Sequence, residues 1–206
     1  MAHHSAPVRW LGRAILGGLG WKLVGEVPRQ PRVVLICAPH TSNWDFVLML
    51  LISWEMDFDV HWIGKDSLFK PPFAGLMRAL GGISVQRGAR SNQSGQVAER
   101  MKAATDPAAK RPMPQIIVAI APEGTRSKAP HWRSGFYHIA TQADATIALG
   151  FLDYTDKVGG FGPALKPSGD MQADFAALAS FYQGKRGLFP DQQGPIALAE
   201  KPKSPG

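Results

Sequence analysis

The chain has 206 residues, of which 45% are hydrophobic and 19% charged, and 23 Lys and Arg against 16 Asp and Glu give a net charge of +7. This composition supports one packed domain and does not make disorder the default, and the single cysteine, Cys37, excludes an intramolecular disulfide framework. The basic balance favours an anionic partner, whether nucleic acid, a membrane surface or a phosphorylated substrate, without choosing among them.

At the N-terminus, Trp10, Ala14, Gly17 and Trp21 recur at helical spacing, with Arg9 and Arg13 one turn apart. The run is too short and too charged to span a bilayer, which takes about 20 mostly apolar residues. Arg9, Arg13 and Lys22 also interrupt the apolar stretch that a secretory signal needs. Two readings stand side by side: an amphipathic helix lying in a membrane interface, or a helix packed on the domain.

Residues 33–38 form a β-branched, apolar run and read as a buried strand. Phe46, Val47, Leu50, Leu51 and Trp54 then follow helical spacing. A strand is expected over 59–64 and a short helix over 73–80, after Pro71 and Pro72. Residues 83–86 read as a strand. Ser91 is placed to cap a helix reaching about residue 104, with Val97, Met101 and Ala104 on one face. Further strands are expected over 115–121 and 146–152, and helices over 135–143 and 174–182. Residues 153–167 hold three glycines and two prolines and read as turns or a hairpin. From Pro190 the chain is rich in Pro, Gln and Lys and reads as a loose tail. Strands alternating with helices predict an α/β fold with a mostly parallel sheet flanked by helices. The expected division is an N-terminal helix over 1–25, the α/β domain over 26–189 and a flexible tail over 190–206.

In open α/β sheets, chemistry collects beyond the carboxyl ends of the strands. His40 follows the first strand by two residues, and Asp45 lies three residues after Ser42. Ser42 and Asp45 fit a capping box, in which the carboxylate reaches back to a backbone N–H. The same bend can also bring Asp45 to His40, fix one imidazole tautomer and leave the other nitrogen free as a base. The strand at 115–121 ends in Pro122-Glu123-Gly124-Thr125-Arg126-Ser127, and the strand at 83–86 leads into Arg87 and Arg90. A base, several guanidiniums and a glycine turn at three strand ends suit activation of a hydroxyl beside a phosphate. The other histidines are scattered, so no metal-ligand cluster emerges. No Gly-x-Ser-x-Gly elbow or phosphate-binding Gly-rich loop with Lys-Ser/Thr occurs. The basic residues are dispersed without a nucleic-acid-binding motif.

His40-x-x-x-x-Asp45, Val85-x-Arg87-x-x-Arg90 and Glu123-Gly124-Thr125-Arg126-Ser127 together resemble the signature blocks of the glycerolipid acyltransferase family, which includes 1-acylglycerol-3-phosphate acyltransferases. The resemblance spans roughly residues 33–152. It implies an acyltransferase-like α/β fold in which His40 is the general base and Asp45 its orienting partner. Arg87, Arg90 and Arg126 would hold the acceptor phosphate, and Glu123, Gly124 and Thr125 would belong to the acceptor-binding loop. The co-substrate would be the thioester of acyl-CoA or of acyl carrier protein, with no metal and no other cofactor. Partners would be a lysophospholipid, a membrane surface and acyl carrier protein, with no nucleic acid. The place of action would be the cytoplasmic, inner face of a membrane. Phe69–Arg78 mixes large apolar with basic residues and could join the N-terminal tryptophans in an interfacial patch, or simply cover the sheet.

Overall fold

The structure is a computed structural model in which residues 3–85 and 92–199 are described. Seven strands and six α-helices alternate along the chain: α1 (Ala6–Gly18), β1 (Lys22–Val24), β2 (Arg32–Ala38), α2 (Trp44–Met56), β3 (Val60–Lys65), α3 (Ala74–Ala79), β4 (Gly82–Val85), α4 (Gln93–Thr105), β5 (Ile116–Ile120), α5 (Gly135–Gln142), β6 (Thr146–Asp153), β7 (Val158–Leu165) and α6 (Met171–Tyr182). The strands make one sheet in the order β1-β7-β6-β2-β5-β3-β4. Every pairing is parallel except β6 with β7, so of the two readings of 153–167, turns or a hairpin, the structure takes the hairpin.

Alternation along β2 explains its unbroken apolar run. Val33 and Leu35 face α1 and α2, whereas Val34, Ile36 and Ala38 face α4, α5 and α6. With both faces covered, neither phase of the strand can be polar. Leu16 of α1 joins Leu48, Leu51 and Ile52 of α2 in the first layer. Val97, Met101, Phe136, Ile139, Leu178 and Tyr182 build the second.

Several expectations change. Asn92, not Ser91, caps α4, its side chain accepting from the Gly95 N–H at 2.9 Å; Ser91 lies outside the described residues. The helix α1 packs on α2 through Gly12 and Leu16, because a glycine lets the two backbones approach: a Cβ there would meet the Leu51 carbonyl at 2.9 Å. The predicted stripe faces outward, with Trp10 68% exposed, and Trp21 lies past the end of α1. Residues 22–24 are not helical but form an edge strand on β7. Beyond Pro190 the described chain is docked rather than loose. The Trp132 N–H bonds to the Ala197 carbonyl (2.7 Å), and Gln193 ties back to Lys185 and Gly187.

Candidate active site

The centre of the sheet is β2, flanked by β6 and β5, so the carboxyl ends of three adjacent parallel strands converge. From β2 the chain turns through His40 into α2. Asp45, on the first turn of α2 and 7% exposed, has its carboxylate folded back over that turn. Its Oδ2 accepts from His40 Nδ1 (3.0 Å) and from the N–H groups of Thr41 and Ser42 (2.9 Å each). Capping and orienting are therefore one arrangement, not alternatives. The other half of the box is altered: Ser42 Oγ accepts from the Trp44 N–H, and Asn43 is the N-cap residue. An ionised carboxylate only accepts, so the proton on Nδ1 is fixed and Nε2 is the free basic nitrogen. About a quarter of the His40 side chain remains exposed.

The end of β5 supplies Glu123. It is buried, and its Oε1 accepts from the His40 N–H at 3.1 Å. This carboxyl thus braces the His40 turn from behind instead of facing solvent. Gly124, at φ 66°, continues the turn in a conformation that favours glycine, and the Arg133 side chain lies across it. Thr125 and Arg126 are exposed. The Gln192 amide, with its nitrogen turned toward them, donates to the carbonyls of Arg126 (2.6 Å) and Thr41 (3.2 Å), so the Arg126 turn lies beside the His40 turn. Arg87 and Arg90 lie outside the described residues. The strand leading to them, β4, is at the sheet edge, three strand spacings or about 14 Å from β2.

The third convergent end is that of β6, and it carries a residue the sequence reading missed. The Tyr154 hydroxyl donates to Asp45 Oδ1 at 2.6 Å. The strand-end rule could have found it, since Tyr154 directly follows β6; the glycine-rich stretch after it drew the segment into a turn assignment instead. Beneath His40 and Asp45 a cavity of about 180 Å³ runs between the sheet and α2. Its walls are apolar: Phe46, Met49 and Ile52 on one side, Ala119, Leu152 and Phe161 on the other.

The family model for Acyltransferase matches residues 23–148, well over half of the chain. The chain belongs to the acyltransferase family. A solved structure with a similar fold is the 1-acyl-sn-glycerophosphate (LPA) acyltransferase PlsC from Thermotoga maritima, at a TM-score of 0.55 and 16% identity over 80% of this chain and 70% of that one. No curated protein matches the chain.

Within this acyltransferase the two buried carboxyls are shifted in opposite directions. Burial pushes Asp45 up, but hydrogen bonds from His40, Tyr154 and the Ser42 N–H, with the His40 charge, outweigh it and hold the group below the ordinary range. Burial dominates at Glu123 and pushes it up to about 7. Among the described residues its Oε2 has no partner, which a neutral carboxyl tolerates better than a charged one. The Thr41, Ser42 and Trp44 N–H groups are engaged within the turn and the His40 N–H is engaged by Glu123, so these four are not free to receive an oxyanion.

Proposed function

We propose that this acyltransferase moves a fatty acyl group from the thioester of acyl-CoA or acyl carrier protein to the hydroxyl of a lysophospholipid, 1-acylglycerol-3-phosphate above all, in phospholipid synthesis. The observation that carries the reading is the His40–Asp45 pair set at the mouth of an apolar cavity. His40 Nε2 takes the proton of the acceptor hydroxyl, whose oxygen attacks the thioester carbonyl carbon. The tetrahedral oxyanion collapses, the C–S bond breaks, and the thiolate leaves with the proton returned by His40. The apolar cavity suits an acyl chain, because its lining offers dispersion contacts and the chain leaves water. Arg126, exposed on the neighbouring turn, would in this reading hold the acceptor phosphate as a bidentate fork. Glu123 acts in this reading by holding the His40 turn.

No helix among the described residues is long and apolar enough to cross a membrane. The lysophospholipid and a long acyl chain nevertheless both favour a lipid surface. Trp10, Leu11 and Ile15 on α1, and Leu19 just after it, are exposed beside the basic Arg9 and Arg13. This pattern supports peripheral docking of α1 on an anionic, cytoplasmic-side membrane surface.

The test is an acyl-transfer assay with purified protein, lysophosphatidic acid and acyl-CoA chains of graded length, following thiol release and lipid mass. Acceptor-dependent thiol release with phosphatidic acid formed, abolished in His40→Ala while the fold is kept, is the expected outcome. Arg126→Ala should raise the acceptor KM with little change in kcat. Turnover that survives in His40→Ala would overturn the mechanism.

A further inference from the structure

Asp45 distributes its hydrogen bonds unevenly. Oδ2 accepts three, from His40 Nδ1 and two turn N–H groups, while among the described residues only the hydroxyl of Tyr154 donates to Oδ1. Oδ1 belongs to a carboxylate that is 7% exposed, so removing its donor leaves a buried, charged oxygen short of a partner. The Tyr154–Asp45 bond is short, at 2.6 Å, as hydroxyl bonds to carboxylates are. Both burial and the Asp45 charge push the Tyr154 phenol up, so it stays a protonated donor across neutral pH.

Tyr154 is itself held from two further directions. Its ring meets Trp21 edge-on, with centroids 5.1 Å apart and planes at 87°. Its N–H donates to the Arg186 carbonyl at 2.9 Å. The phenol is thereby aimed at Asp45 by β6, by the segment entering β1 and by the segment after α6. Tyr154, Trp21 and Arg186 all fall outside residues 23–148, the part matched by the family model. Tyr154 does not line the cavity, so its effect on chemistry passes through Asp45.

Building on the acyl-transfer reading, we propose that Tyr154 is a positioning residue, the outer member of a Tyr154–Asp45–His40 relay that fixes the plane of the Asp45 carboxylate and thereby the Nδ1–H tautomer of His40. With the plane fixed, Oδ2 stays on the imidazole and Nε2 stays aimed at the acceptor hydroxyl. Without it, the carboxylate can turn about its Cβ–Cγ bond and share its charge between His40 and whatever reaches Oδ1.

The experiment compares wild type, Tyr154→Phe, Asp45→Ala, the double variant and His40→Ala in one transfer assay with palmitoyl-CoA and lysophosphatidic acid. Tyr154→Phe keeps the ring and its contact with Trp21. It should lower kcat roughly tenfold, leave both KM values near wild type, and have no further effect in the Asp45→Ala background. A structural role alone would instead lower the melting temperature and add to the Asp45→Ala loss. In parallel, the Asp45 carboxyl is titrated by ¹³C NMR in wild type and Tyr154→Phe. The ionisable groups facing it are His40, Tyr154, Glu123 and Cys37. Losing a donor to the charged form should raise the Asp45 midpoint. Wild-type kcat in Tyr154→Phe, or an additive double variant, overturns the proposal while leaving the reaction standing. Wild type inactive in the assay counts against the acyl-transfer reading instead, and the titration then decides the relay alone: an unmoved Asp45 midpoint overturns it.

Discussion

At the scale of single residues, Asp45 and Glu123 show how burial alone does not set a charge state. Both are largely buried carboxyls within reach of His40, yet one is held down by donors and the other is pushed up to about 7. The Glu123 value lies above its ordinary 4.5. Its contribution to stability is therefore full below about pH 4.5 and lost as pH rises through about 7. Glu123→Gln keeps a carbonyl acceptor for the His40 N–H and removes the ionisation. Its stability advantage over wild type should grow between about pH 5 and about pH 8, approaching roughly 3 kcal/mol. Unfolding free energies that differ by the same amount at both pH values would show that the Glu123 carboxyl is not raised in the folded protein and is already ionised at about pH 5. His40, Asp45 and Glu123 were all legible in the sequence, because each sits in a short motif directly after an apolar strand. The bracing role of Glu123 was not, since it depends on β5 lying against β2, 83 residues away along the chain.

At the scale of elements, the segment after α6 is a strap across the strand ends. The Phe189 N–H donates to Thr41 Oγ1 (3.2 Å), Gln193 holds Lys185 and Gly187, and Gln192 spans the Thr41 and Arg126 turns. Pro and Gln content suggested a tail, but glutamine amides carry both donors and acceptors, and here they satisfy backbone groups of two neighbouring turns. The strap fits closely at Gly187, where a Cβ would meet Thr41 Oγ1 at 2.6 Å. Thr41 donates its N–H to Asp45, so pushing it should disturb the base. Gly187→Val is expected to lower kcat about tenfold or more, with a stability loss of roughly 1–3 kcal/mol. A variant that loses stability but keeps full kcat would mean that the strap only closes the fold.

At the scale of the whole molecule, the sheet separates two layers with different work. The α4–α6 layer holds the larger buried cluster, whereas the layer under α1 and α2 contains the cavity below His40. The same helices carry the exposed Trp10, Leu11, Ile15, Trp44 and Val47. Acyl cavity and lipid-facing surface would thus share one side of the sheet, so an acyl chain need not cross the protein. Trp10→Ala combined with Leu11→Ala should weaken co-sedimentation with anionic vesicles several-fold. Turnover of a short-chain, water-soluble acyl-CoA should stay near wild type, because neither residue touches the cavity. Vesicle binding unchanged by the double substitution would place the docking surface elsewhere.

The sequence by itself determined the local units. Apolar runs ended in polar turns, strands alternated with helices, and the spacing from His40 to Asp45 matched one bend into a helix. These follow from contacts a few residues apart, which composition and periodicity record directly. Only the tertiary structure decided which strand ends meet. The sequence reading joined the ends of β2, β4 and β5; the fold puts β6, not β4, beside β2, and so brings Tyr154 to Asp45 across 109 residues. Strand order is set by how the helical layers cover both faces of the sheet. That is a sum over the whole core, and no single stretch of the chain carries it.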